Sequence, residues 1–465
     1  MREVRVDVAV VGAGTAGLYA MARVLERTDS AVLFEGGREG TMCARAGCMP
    51  SKALIHAARC VRDVHGPGAA GLPPSGGAMD YARIMAGVRE KRDTLVSRTA
   101  ARPRKRFGEK IVKEYASFVE PMVLSAGGVR YLCKSIVLAP GSLPVVPPGW
   151  LLVPERIVTT EEFFDLPTLP REVLVVGMGP VGLELSQAMA LLGPSVTAVE
   201  MGETAAGVQD PEVLSTLKQA LLETPNFQYH FRSRAALRSA GERVAVEMED
   251  LEGGARWETA YDLVLLAVGR APALSRLSLE NAGIELDPKG RPVVDGKTLQ
   301  CPGQNVFMAG DASALRPFFH DAADQGRLAG ANAAAAVAGE KPAPAKPKAP
   351  LAIVFTEPNV AATGLSWKDF SQDAHVAGTA DVRSSGRCFL EDREHAIVRL
   401  YAEKATGKLA GAELCAPHGE HLGHFLALAI QTGFTIDQML DLPYYHPTYE
   451  ELLPTALLDA KKKME

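Results

Sequence analysis

One pattern occurs twice in this 465-residue chain and leaves few folds open to it. Gly12-Ala13-Gly14-Thr15-Ala16-Gly17 follows an apolar run ending at Val11, and Gly177-Met178-Gly179-Pro180-Val181-Gly182 follows another at 173–176. A helical pattern comes next in each copy, then a second apolar run, 31–34 or 196–199, that ends on an acid, Glu35 or Glu200. Both acids stand 23 residues beyond the first glycine of their motif, 12 to 35 and 177 to 200. A lone GxGxxG is a common tight turn. Strand, turn, helix, strand and terminal acid at equal spacing, twice over, predict two βαβ units of the kind that bind dinucleotides. The first glycine permits the turn, the second lets a pyrophosphate approach the backbone, and the third lets helix pack on strand. The helix N-terminus then offers its free amides to the anion. The acid accepts hydrogen bonds from ribose hydroxyls and repels a 2′-phosphate, so Glu200 favours NAD over NADP in the second unit.

The length allows about three domains. A formal charge of -5 and a pI near 6.1 give no global attraction to nucleic acid or anionic membrane. The basic runs at 102–110 and 461–463 are expected to be solvated faces. No apolar stretch reaches the roughly 18 residues of a membrane span, and the N-terminus runs straight into a strand pattern, so a cytoplasmic protein is expected. Seven scattered cysteines, an odd number, do not form a secreted disulfide framework. Cys60, Cys133, Cys301, Cys388 and Cys415 read as small buried hydrophobes, and no resident metal is expected.

The domains are expected to interleave. Residues 1–150 begin the first nucleotide-binding domain, 151–270 form the second, 271–345 complete the first, and 346–465 form a separate α+β domain. Buried strands at 135–139 and 263–268 lead to Gly141 and Gly269, where the chain crosses between domains. A short strand at 305–311 delivers Asp311 to its end, either as a helix cap or as a polyol ligand. The proline-rich stretch 338–350 reads as a connector with no core element. Beyond it lie strand-like runs at 351–356, 396–401 and 409–414, and helix-like runs at 420–432 and 435–440.

Two further constellations carry chemistry. In Cys43-Ala44-Arg45-Ala46-Gly47-Cys48-Met49-Pro50-Ser51-Lys52, two cysteines five apart with a glycine between them can close a small ring. Pro50 suits the first turn of a helix, which puts Cys48 at an N-terminus that favours a thiolate. By itself the spacing also suits buried thiols or half a metal site. A neighbouring dinucleotide fold favours the redox pair. Near the C-terminus, His446-Pro447-Thr448-Tyr449-Glu450-Glu451 places a carboxylate where it can orient an imidazole as a base. A dithiol must lose a proton before it attacks a disulfide, so the base completes a thiol relay.

These residues resemble those of the pyridine nucleotide-disulfide oxidoreductases, and within them the dihydrolipoamide dehydrogenases. The likeness runs through both GxGxxG motifs, Cys-x4-Cys-x-Pro-Ser-Lys, Leu183-Glu184, Ala267-Val268-Gly269-Arg270, Ala309-Gly310-Asp311, Phe355-Thr356-Glu357-Pro358 and His446-Pro447-Thr448 with Glu451. It implies an α/β fold with two Rossmann-like domains, one for FAD and one for NAD, plus a C-terminal α+β dimerisation domain. Gly12, Gly14, Gly17, Glu35, Lys52, Ala116, Gly141, Ser142, Asp311 and Ala322 would contact FAD, and Gly177, Gly179, Gly182, Glu200 and Gly269 would contact NAD. Cys43 would meet substrate, Cys48 would face the flavin, and Lys52 and Glu184 would pair beside it. His446 and Glu451 would reach the cysteines of the other subunit in a homodimer with shared sites. Electrons would then pass from a dihydrolipoyl dithiol, free or carried on a protein, through Cys43 and Cys48 and FAD to NAD+. The alternatives are a reductase of another disulfide, like glutathione or mercuric reductase, or a flavoprotein acting mainly as a binding subunit.

The chain departs from the family pattern at Arg45 and Met42 near the cysteine pair, at Pro140 and Pro180, and at Tyr445 before the histidine. The tail 460–465 lacks the vicinal cysteines expected of mercuric reductases.

Overall fold

The computed structural model describes residues 2–65 and 79–465. They form two compact units, each assembled from three stretches of chain. One comprises Met1–Pro50, Arg89–Val145 and Arg270–Lys346; the other comprises Ser51–Val88, Val146–Gly269 and Pro347–Glu465.

In the first unit, strand Arg2–Val11 is flanked by parallel strands Ala31–Phe34 and Val129–Leu138. Val129–Leu138 serves two neighbours at its other edge. Residues 129–132 pair antiparallel with Val123–Ala126, and residues 136–138 pair parallel with Val306–Met308. That parallel strand from far along the chain completes the interrupted sheet. Helix Thr15–Val24 buries Ala16, Gly17, Ala20, Met21 and Val24, one stripe at helical spacing. It lies against helix Phe319–Val337 with almost no side chain between them. A Cβ on Gly326 would sit 2.2 Å from the Ala16 carbonyl oxygen, and one on Gly330 would sit 2.3 Å from that of Ala20.

In the second unit, five parallel strands are ordered Phe227–His230, Ser195–Val199, Glu172–Val176, Leu263–Leu266 and Ile157–Thr159. An antiparallel meander, Ser233–Ala240, Val244–Asp250 and Arg256–Tyr261, precedes Leu263–Leu266. The C-terminal part carries an antiparallel sheet ordered Leu351–Val354, Asn359–Gly364, Leu409–Ala416, Ile397–Glu403 and His375–Asp381, with helices Gly419–Thr432 and Leu452–Met464 packed on it. The fold is therefore α/β, with two Rossmann-like domains and an α+β C-terminal domain.

A buried polar cluster ties the C-terminal sheet to the loop after Glu200. Asp210 is fully buried and caps helix Pro211–Leu222 by accepting from the Glu212 N–H (2.9 Å). Its other oxygen accepts from Arg399 Nε (2.9 Å) and the Tyr401 hydroxyl (2.8 Å). Burial, aided by the Asp210 charge, pushes the Tyr401 phenol far up, so it remains a donor. Glu413 accepts from the Gln209 and Asp210 N–H groups, at 2.9 and 3.1 Å. Removing one partner strands a buried charge. We expect Arg399→Ala to lower unfolding free energy by about 3 kcal/mol, read as a fall in the thermal midpoint.

One local expectation needs correction. Cys60 is exposed, with its sulfur 3.8 Å from His56 Nε2, whereas Cys133, Cys301, Cys388 and Cys415 are buried as expected. The face of helix Cys48–His65 that carries Cys60 looks outward, which a solitary cysteine does not reveal. The proline-rich stretch forms no helix or strand, as expected, and is stapled to the first unit. Asn332, 2 % exposed, exchanges hydrogen bonds with the Ala343 backbone, each 2.9 Å, and also donates to the Thr298 carbonyl.

Candidate active site

The two glycine turns are built alike, bond for bond. The Gly12 N–H donates to the Phe34 carbonyl at 2.9 Å, and the Gly177 N–H to that of Val199 at 2.8 Å. Gly12 and Gly177 share a φ of 101°. A Cβ on Gly12 would lie 2.2 Å from Ala139 O, and one on Gly177 2.6 Å from Ala267 O. Gly17 and Gly182 are tighter still, at 1.7 and 2.0 Å from the carbonyl oxygens of Gly12 and Gly177. At Gly14 and Gly179 a Cβ would meet nothing within 4 Å, the open side from which a pyrophosphate approaches. Thus the residues present fit a dinucleotide at each turn. Gly17→Ala is expected to yield protein purified without bound flavin, checked by the absence of visible absorbance.

Both acids are held at the turn. Glu35 Oε1 accepts from the Gly37 N–H (3.2 Å), and burial pushes its carboxyl up from the ordinary range. Glu200 accepts from the Met178 and Gly202 N–H groups, at 2.9 and 3.0 Å. In the first unit, Ser142 donates to Asp311 Oδ2 at 2.6 Å, so Asp311 faces a hydroxyl at its strand end. Arg270 adds bonds from Nε to Ser142 Oγ (2.8 Å) and from a terminal nitrogen to Ser142 O (2.7 Å). Arg270 has no assigned role in the sequence expectations, although its place directly after Gly269 is a signal for it. Gly141 and Gly269 both take positive φ, 77° and 116°. Ala322 lies in helix Phe319–Val337 close under Gly310, and Ala116 is buried beside Tyr115, which packs on Gly36.

The cysteines sit where two helices meet. Thr41 caps Met42–Arg45 by accepting from the Ala44 N–H (3.3 Å), and the next helix begins at Cys48. Gly47 makes the short turn between them possible: a Cβ there would lie 3.3 Å from Cys43 Cα. Cys43 and Cys48 are both half-buried. Burial pushes Cys133, Cys301 and Cys415 up to about 12, leaving them as inert thiols. Cys48 instead stands at the first position of helix Cys48–His65. Arg45 turns its Nε to the Gly40 carbonyl at 3.2 Å.

In the second unit, Lys52 Nζ pairs with Glu184 Oε2 at 2.7 Å and lies 4.4 Å from the Phe355 ring centre. Glu184 is 6 % exposed, and its other oxygen accepts from the Phe355 N–H (2.9 Å). His446 Nδ1 lies 2.8 Å from Glu451 Oε1, while Glu451 Oε2 accepts from the Thr448 N–H at 3.1 Å. The His446 hydrogen bond is the main influence holding the Glu451 carboxyl below its ordinary range. Donating Nδ1–H to Glu451 leaves Nε2 as the acceptor. The imidazole is oriented but uncovered, 76 % exposed in the single chain.

Comparison with known proteins matches this architecture. The family model for pyridine nucleotide-disulphide oxidoreductase covers residues 6–337, and that for the family's dimerisation domain covers residues 351–457. The chain belongs to the pyridine nucleotide-disulphide oxidoreductases. Among its relatives are dihydrolipoyl dehydrogenase 3 of Haloarcula marismortui, 28% identical across 98% of this chain and 97% of that protein, and mercuric reductase of Streptomyces lividans, 28% identical across 97% and 95%. LpdA from Mycobacterium tuberculosis superimposes with a TM-score of 0.82 at 23% identity, covering 99% of this chain and 100% of that one. The HOCl-induced flavoprotein disulfide reductase RclA from Escherichia coli gives 0.81 at 20% identity, covering 97% and 99%. The protein is a disulfide oxidoreductase with a dimerisation domain, and its cofactors are FAD and a nicotinamide dinucleotide. No described helix is long and apolar enough to cross a membrane.

Proposed function

We propose that the protein is a dihydrolipoamide dehydrogenase working as a homodimer, with Cys43, Cys48, His446 and Glu451 as its thiol-exchange machinery. The observation that carries this reading is the His446–Glu451 pair, an imidazole aimed by a carboxylate and standing open to solvent in the single chain. A base presented in that way suits a site completed by a second subunit. His446 Nε2 takes a proton from the substrate dithiol. The thiolate sulfur attacks Cys43 Sγ, the bond between Cys43 and Cys48 breaks, and its electron pair leaves on Cys48 as a thiolate. The second substrate thiol then attacks the substrate sulfur of the mixed disulfide, its proton passing to the Cys43 sulfur that it expels. The substrate leaves as a disulfide, and the cysteine pair holds two more electrons. FAD and NAD, when bound, supply the flavin and nicotinamide that accept those electrons.

Gly12, Gly14, Gly17, Glu35, Ala116, Gly141, Ser142, Asp311 and Ala322 would hold FAD, with Lys52, paired to Glu184, on the flavin. Gly177, Gly179, Gly182, Glu200 and Gly269 would hold NAD. Scattered cysteines support a reducing, cytoplasmic setting. Anaerobic addition of dihydrolipoamide is expected to raise the long-wavelength thiolate-to-flavin band, with turnover faster on NAD+ than on NADP+. If neither dihydrolipoamide nor a lipoylated protein reduces the enzyme, the reading fails.

A second reading, reduction of another disulfide or of mercuric ion, is favoured by the Streptomyces lividans mercuric reductase, whose identity equals that of the Haloarcula dihydrolipoyl dehydrogenase. Assays with glutathione disulfide and mercuric ion, each with NADH and NADPH, separate the two.

A further inference from the structure

Helix Gly419–Thr432 begins with His418-Gly419-Glu420-His421. Gly419 seats this end of the helix against the C-terminal sheet: a Cβ there would be 2.8 Å from Leu414 Cδ1 and 3.0 Å from Asn359 O. His418 takes φ 52°, which turns its ring back over the helix start, stacked 6.3 Å from the His421 ring. The Tyr449 ring lies 5.4 Å from the His418 ring and is itself pinned by its hydroxyl to Glu391 Oε2 at 2.6 Å. Ligand atoms of His418, Glu420 and His421 all lie within 4.8 Å of one another. Glu420 Oε2 is buried and meets no hydrogen-bond donor among the described residues. A carboxylate oxygen in that position lacks the partner that burial demands.

We infer that His418, Glu420 and His421 form a binding site for a divalent transition-metal cation such as zinc. Two imidazoles and one carboxylate, with a fourth position open to water, are a zinc donor set. Bonds of about 2.0–2.1 Å require ligand atoms about 3.3 Å apart, a closure that small side-chain rotations supply. The other such trio among the described residues, Glu223, Glu394 and His395, differs because His395 Nε2 is already bonded to Glu223 at 2.6 Å.

The test uses tag-free, flavin-loaded protein carrying Cys43→Ser and Cys48→Ser, which removes competing thiols. Zinc is titrated calorimetrically, and cobalt provides a visible spectrum of the same site. The expected result is one ion per chain. Binding should weaken more than about tenfold in His421→Ala and in Glu420→Gln, and remain unchanged in His395→Ala. His418→Gly, which suits the positive φ, serves if His421→Ala does not fold. Absence of binding, binding insensitive to His421 and Glu420, or binding lost in His395→Ala overturns the proposal. Loss of the dimer in Glu420→Gln with no metal bound also overturns it, and gives the carboxylate to the subunit interface instead.

Discussion

Cys48→Ser is expected to bind FAD normally and yet lose dithiol-linked NAD+ reduction by at least about a thousandfold. Serine keeps the size and the helix start but has no thiolate to release at neutral pH. Substrate attack on Cys43 then has no disulfide to open, and the long-wavelength band should vanish even when dithiol is in excess. Cys43→Ser should match it in turnover but differ in spectrum. It retains the Cys48 sulfur at the helix N-terminus, so the charge-transfer band should be present before any substrate is added. If Cys48→Ser retains more than a tenth of wild-type turnover, the relay does not run through this pair. Cys60→Ser is the control, because its exposed sulfur belongs to neither turn nor helix start.

His446→Gln should lower kcat with dihydrolipoamide by about two to four orders of magnitude, the usual range for a positioned acid-base group. Glutamine keeps a donor toward Glu451 but cannot take the proton. Glu451→Gln should cost less and act through the imidazole, shifting the acid limb of the pH profile rather than abolishing it. The sign follows from the pair. The Glu451 carboxyl is held below its ordinary 4.5, so its stabilising contribution is present above that value and is lost only as pH falls through the lower folded value. Loss of activity between pH 5 and 8 therefore belongs to groups other than Glu451. If the acid limb is unchanged in Glu451→Gln, the carboxylate does not tune the base.

Much of this was legible in the chain because its constraints are local. Gly17 answers to the Gly12 carbonyl five residues back, and Gly12 takes a positive φ that suits glycine, so the spacing exposes the turn, although the Ala139 carbonyl that Gly12 also meets lies far along the chain. The strands at 31–34 and 196–199, with Glu35 and Glu200 at their ends, follow from the same geometry. Helix Tyr81–Phe107 was hidden: it is highly charged and holds Pro103 near its end, so it lacks a broad apolar stripe. The meander of residues 233–261 was hidden too, since its edge is polar on one face and its register depends on partners, not on neighbours in sequence. The Asp210, Arg399 and Glu413 cluster joins residues about two hundred positions apart. Nothing in their flanking sequence marks them as partners.

The glycine turns also separate two kinds of necessity. Gly12, Gly17, Gly177 and Gly182 are demanded by the chain's own backbone, whereas Gly14 and Gly179 face open space and are demanded only by whatever docks there. Such a motif keeps a record of its use. A descendant that stopped binding the second nucleotide would be free to change Gly179 at once, while Gly177 and Gly182 stayed fixed for folding. The middle glycine is thus the position whose loss would cost the fold least and a docked pyrophosphate most.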